Sequence, residues 1–166
     1  MARVWVSVGS NIDRERHVRA ALHALRERFG DLQVSPIYET PAEGFEGDPF
    51  YNLVVGFETD VPPERLHVLL REIEDANGRK RGSEKFSART LDIDALTYGE
   101  QVTDAGGKHL PRDEITRYAF VLKPLADVAG EQLHPELRHS YAQLWNDFSR
   151  VYTGELKEVV LPPESA

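Results

Sequence analysis

Valine at every second position opens the chain. In "RVWVSVGS", Val4, Val6 and Val8 alternate with Trp5 and Ser7, the period of a strand with one buried face. "GSN" supplies turn and cap chemistry. The spacing then becomes helical: Val18, Ala21, Leu22, Leu25 and Phe29 form one stripe from about Asp13 to Phe29, closed by Gly30. "LQVSPIYET" reads as a second strand, bent or held at an edge by Pro36. "TPAEGFEGDPF", residues 40 to 50, has no periodicity and is rich in Gly and Pro, which predicts a long mobile loop in the position of an active-site lid. "YNLVVGFET" returns to alternation, with Leu53, Val55 and Phe57 on one face and Asn52 at the strand's mouth on the other. Pro62 and Pro63 open a second helix, striped by Leu66, Leu69, Leu70 and Ile73 and ended by Gly78. "TLDIDALTYG" is the last clear strand.

The order strand, helix, strand, strand, helix, strand predicts an α+β ferredoxin-like sandwich, with an antiparallel sheet, helices on one face and the other face free. After residue 99 the periodicity weakens. A short strand near Val102, a Gly-Gly turn, a helix from Phe120 to Leu125 and a helix over "PELRHSYAQLWNDF" make a C-terminal helical extension. In the last of these, Leu137, Tyr141, Leu144, Trp145 and Phe148 are expected inside. The prediction is a single domain over residues 1–153 and a loose tail from Gly154.

Composition narrows the chemistry. At 166 residues the chain is long enough for one well-buried core, and 40% hydrophobic with 29% charged residues is ordinary for a water-soluble domain. There is no cysteine, so disulfides, zinc-thiolate sites and thiol nucleophiles are excluded together, and any metal must be held by oxygen or imidazole. A net charge of −8 argues against a nucleic-acid surface. No apolar run reaches the length of a membrane span, and the amino terminus lacks a signal peptide's apolar core. The expectation is a cytoplasmic protein with no membrane or nucleic-acid partner. No exposed apolar stripe stands out, and a monomer is expected.

Two stretches carry candidate chemistry. In "RTLDID", Leu91 and Ile93 face one way and Asp92 and Asp94 the other, roughly 6 to 7 Å apart along a strand. Such a pair is either a wet strand face or a seat for divalent cations. Just before it, "RKRGSEKFSAR" places Arg79, Lys80, Arg81, Lys85 and Arg89 against one acid, Glu84. That run is either a solvated loop or a polyphosphate site, since arginine forks match phosphate oxygens.

"VSVGSN", "YETPAEG", "FYNLVV", "GRKR", "RTLDIDAL", "FVLKPLADVA" and "LHPEL", in unbroken order over roughly residues 3 to 150, resemble the 6-hydroxymethyl-7,8-dihydropterin pyrophosphokinase family of the folate pathway. "RTLDID" is the most specific of them. The resemblance implies a ferredoxin-like fold and transfer of pyrophosphate from ATP to a pterin alcohol with two Mg²⁺ ions. It implies that Asp92 and Asp94 hold the metals and that Arg79 and Arg89 approach the phosphates. Arg81 and Lys85 are expected nearby, and Glu74 near the nucleotide. It implies a pterin pocket of Thr40, Pro41, Asn52, Phe86 and Phe120, with Phe120 as a stacking face and Asn52 at the ring edge.

The chain departs from the family pattern in "LPRDEITRYAF". Arg112 stands where the family has an ATP-contacting histidine, and Tyr118 where it has a phosphate-side arginine, with Arg117 one residue earlier. Glu43 also replaces a commonly apolar residue on the pterin side. The leading expectation is the pyrophosphokinase; the alternatives are a paralogue acting on another pterin-like alcohol and a catalytically silent nucleotide- or pterin-binding domain.

Overall fold

The computed structural model describes residues 1–41, 47–78 and 90–163. β1 (Ala2–Ser10) pairs antiparallel with β4 (Phe50–Thr59) along its whole length, and on its other side with β5 (Asp92–Tyr98). The second predicted strand is two, β2 (Gln33–Val34) and β3 (Ile37–Thr40), because Pro36 cannot donate to the ladder at the break; both pair with β4. With β8 (Lys157–Val159) at the far edge, the strand order is β5-β1-β4-β3-β8. That is the predicted ferredoxin-like sheet with one strand added.

α1 (Arg14–Phe29) and α2 (Pro63–Ala76) cover one face. Val18, Ala21, Leu25, Leu66, Leu70 and Ile73 pack against Val4, Val6, Val8, Leu53, Val55, Phe57 and Ile93 in one buried cluster. The rings of Phe29 and Phe57 stack at 4.2 Å. Gly30, at φ 81°, ends α1 in a conformation that other residues rarely adopt.

The expectation of a free second face is corrected. α3 (Glu114–Arg117), α4 (Ala119–Ala129) and α5 (Tyr141–Ser149) roof part of it, burying Ile115, Val121, Leu122, Leu125 and Tyr141 on Trp5, Val54 and Leu96. Trp5 lies flat across its cross-strand partner Gly56, where a Cβ would come within 2.3 Å of the indole, so only glycine fits there. The Trp5 Nε1–H donates to Gln132 Oε1 at 2.9 Å.

Two C-terminal readings also change. The last helix begins at Tyr141, not at Pro135. Ser140 accepts from the Gln143 amide as its cap, Arg138 sits at φ 61°, and Leu137 is 47% exposed. The tail beyond Gly154 was expected to be loose, yet it supplies β8 (Lys157–Val159), which pairs with β3 and covers that edge of the sheet. β6 (Thr103–Ala105) and β7 (Lys108–Leu110) form a hairpin across the predicted Gly-Gly turn.

Candidate active site

The part of the second face left open by α4 and α5 carries three of the expected residues, Asn52, Asp92 and Asp94. The strand registers put Tyr38 opposite Asn52, Asn52 opposite Gly9, and Gly9 opposite Asp92. Residues opposite one another share a face, so these four form one row across β3, β4, β1 and β5. The next row runs Val54, Ser7, Asp94. Strands lie about 4.8 Å apart, so Asn52 and Asp92 stand roughly 10 Å apart, separated by a glycine with no side chain. A Cβ on Gly9 would lie 3.2 Å from Asn52 Oδ1 and 3.8 Å from the Phe50 ring. The gap between amide and acid is therefore floored by bare backbone.

Each side of the gap is held in place. Asn52, 8% exposed, donates from Nδ2 to Thr40 Oγ1 at 2.9 Å, which turns Oδ1 toward Gly9. Residues 42–46 of the predicted loop lie outside the described residues; Pro41 before them is exposed. Arg14 holds Pro49 after them, donating to its O at 3.1 Å and to Glu39 Oε2 at 2.9 Å while stacking on Tyr51. On the acid side, Ser10 Oγ donates to Thr90 O at 2.5 Å, tying the end of β1 to the entry of β5. Asn11 Nδ2 donates to Asp48 O. Ser10, the last residue of β1, and Asn11 after it thus brace both margins of the row.

Glu74 was expected near the nucleotide. It is 4% exposed beneath the sheet, and its Oε2 accepts from the Ile93 amide at 2.8 Å. β5 is an edge strand, so this amide has no strand partner, and a helix carboxylate takes that place between the two aspartates.

Asp94 carries a cation already. Lys108 Nζ stands 2.5 Å from its Oδ1, with the two side chains 36% and 22% exposed. An ammonium on a carboxylate shows that the site accepts positive charge, and two carboxylates on one strand are hard oxygen donors of the kind Mg²⁺ takes. Among the described residues, no three acids or histidines converge. Such an ion would take its remaining oxygen ligands from outside these side chains.

The other expected residues divide. Arg112 is engaged by both oxygens of Glu114, at 2.7 and 2.8 Å, so its fork is taken. Arg117 lies against the ring of Tyr118, which stacks on Phe120 at 5.0 Å. Phe120 is part-exposed at the margin of the second cluster rather than sealed in the core. Arg79, Arg81, Lys85, Phe86, Arg89 and Glu43 lie outside the described residues. His109 pairs with Glu136 and Asp104, whose hydrogen bonds raise its pKa. His134 is buried, which lowers its pKa, and its Nδ1 accepts from the amides of Glu136 and Leu137. It caps a turn.

Three members of the site escaped the sequence reading. Phe50 left a signal, an aromatic two residues before Asn52 and so on the same face. Gly9 and Lys108 left none, because their importance lies in cross-strand neighbours. A separate wide depression along α1 is lined by Arg14, Arg16, Arg19 and His23, but Arg14, Arg16 and Arg19 are paired with Glu39, Asp13 and Glu15.

Comparison with known proteins gives a consistent result. The model of the 7,8-dihydro-6-hydroxymethylpterin-pyrophosphokinase family matches residues 5–130. The 2-amino-4-hydroxy-6-hydroxymethyldihydropteridine pyrophosphokinase of Pseudomonas aeruginosa is 38% identical over 142 residues, 82% of this chain and 86% of that protein. Its namesake from Porphyromonas gingivalis is 37% identical over 142 residues, 82% of this chain and 96% of that one. A crystallised triple mutant of Plasmodium falciparum HPPK-DHPS with pteroate superposes with a TM-score of 0.71 at 16% identity. That match covers 90% of this chain and 44% of the longer one, and it is a likeness of fold. No helix among the described residues is long and apolar enough to cross a membrane.

Proposed function

The chain belongs to the 7,8-dihydro-6-hydroxymethylpterin-pyrophosphokinase family, and from that premise we propose that it transfers the terminal pyrophosphate of ATP to the hydroxymethyl group of 6-hydroxymethyl-7,8-dihydropterin. The products are AMP and the pterin diphosphate, in folate synthesis. The observation that carries this reading is the row Asn52, Gly9, Asp92: an amide that can read a heterocycle's edge faces a carboxylate across bare backbone.

In this reading the pterin lies over Gly9. Asn52, oriented by Thr40, exchanges hydrogen bonds with the ring's amide-like edge, Pro41 borders it, and Phe50, Phe120 and Phe86 supply aromatic faces. The hydroxymethyl arm points along the row toward Asp92 and Asp94. Asp92 and Asp94 would hold two Mg²⁺ ions, which would supply positive charge to offset that of the triphosphate and of the reacting hydroxyl. Glu74 keeps β5 fixed so that the two carboxylates stay aligned. Arg79, Arg81, Lys85 and Arg89 bring forked and point donors to the phosphates. Arg117 reaches the phosphates by leaving the Tyr118 ring, and Arg112 by exchanging Glu114 for a phosphate oxygen. Binding in this geometry aligns the alcohol oxygen with the β-phosphorus, and AMP departs opposite it.

The test is AMP release from ATP, MgCl₂ and the pterin by the wild type and by an Asp92→Ala, Asp94→Ala double variant. Pterin-dependent AMP that falls at least about a thousandfold in the variant, some 4 kcal/mol of lost transition-state stabilisation, supports the reading. AMP formed only with a different alcohol, or none from a protein that still binds Mg-ATP, refutes it.

A further inference from the structure

Lys108 takes no part in the mechanism above, yet its ammonium rests on one of the two acids proposed to hold metal. Its backbone is firmly placed. Gly106 and Gly107, at φ 59° and 78°, make the tight turn before it, and a Cβ on Gly106 would lie 2.3 Å from the His67 ring of α2. Ala105 and Leu110 anchor the two hairpin strands in the core. Only the side chain is left to move, and a lysine's four-carbon stem carries its charge through several ångströms.

Two facts give that movement a direction. A divalent ion on Asp94 would stand about 2.1 Å from a carboxylate oxygen, with like charge opposing the ammonium already there. A bound triphosphate also offers the displaced ammonium new anionic oxygens, the same oxygens to which Arg112 and Arg117 pass from Glu114 and the Tyr118 ring. Resting on the pyrophosphokinase reading, we propose that Lys108 exchanges partners when nucleotide binds, passing from Asp94 in the free protein to a phosphate oxygen of the metal-bound triphosphate. Lys108 then competes with metal alone and assists metal with nucleotide, so the two ligands bind cooperatively.

The experiment is calorimetric titration of the whole chain, wild type and Lys108→Met, with Mn²⁺ alone and with a magnesium complex of a non-hydrolysable ATP analogue. The expected result is opposite in sign for the two ligands: in Lys108→Met, Mn²⁺ alone binds about tenfold tighter and the nucleotide complex about tenfold weaker. Lys108→Arg keeps the charge and stays within a few-fold of wild type for both, which separates loss of charge from misfolding. Unchanged affinities, or shifts of the same sign for both ligands, overturn the exchange and leave the pyrophosphokinase reading standing. A wild type that binds neither ligand, or an Asp92→Asn, Asp94→Asn variant that binds both normally, overturns the reading and the exchange with it.

Discussion

The two faces of the central sheet are made by the same strands and obey different rules. Beneath α1 and α2 the face is filled by Val, Leu, Ile and Phe, and what matters there is volume and shape. The opposite face is apolar only where α4 and α5 lie on it. Beyond them it presents Asn52, Gly9, Asp92 and Asp94 in register, and what matters there is which atom stands opposite which. The first face can be altered in kind with graded effects on stability. On the second, a single methyl group added at Gly9 would enter the gap between Asn52 and Asp92.

Three substitutions sharpen or break that contrast. Leu70 is 2% exposed in the first face's core, and Leu70→Ala should cost about 3 kcal/mol of unfolding free energy in a urea titration. The folded fraction should keep its kcat/KM; a comparable loss of kcat/KM would mean that the two faces are not separable. Glu74→Ala crosses the divide. It leaves the Ile93 amide without its acceptor, and a loss of about 2 kcal/mol is expected together with a raised KM for Mg-ATP as β5 loosens. Glu74→Gln, which can still accept, should recover most of both. Gly9→Ala is the smallest change and tests the row itself. Its methyl comes 3.2 Å from Asn52 Oδ1 and into the gap, so KM for the pterin should rise about tenfold, roughly 1.4 kcal/mol, with the melting temperature nearly unchanged. A Gly9→Ala protein with unaltered pterin KM would remove the gap from the site.

Legibility followed the range of the interaction. Val4, Val6 and Val8, and the stripe of α1, declare their elements through neighbours two to four residues away, and those elements formed as read. The split of the second strand was foreshadowed by Pro36. The tail was misread because a three-residue strand has too little pattern of its own; Lys157–Val159 is a strand because β3 offers an unpaired edge. Leu137 was misplaced for a similar reason. Its spacing suits a helix, but His134 and Ser140 capture the nearby amides and start the helix later.

The sequence by itself determined the ferredoxin-like core, the family and the side on which Asp92 and Asp94 emerge, because hydrophobic period and motif order are local properties of the chain. Tertiary structure decided the rest. The strand register set Asn52 across Gly9 from Asp92, the hairpin brought Lys108 onto Asp94, and α2 carried Glu74 to the Ile93 amide. Each of these joins residues between 14 and 83 positions apart, and no local pattern encodes such a meeting.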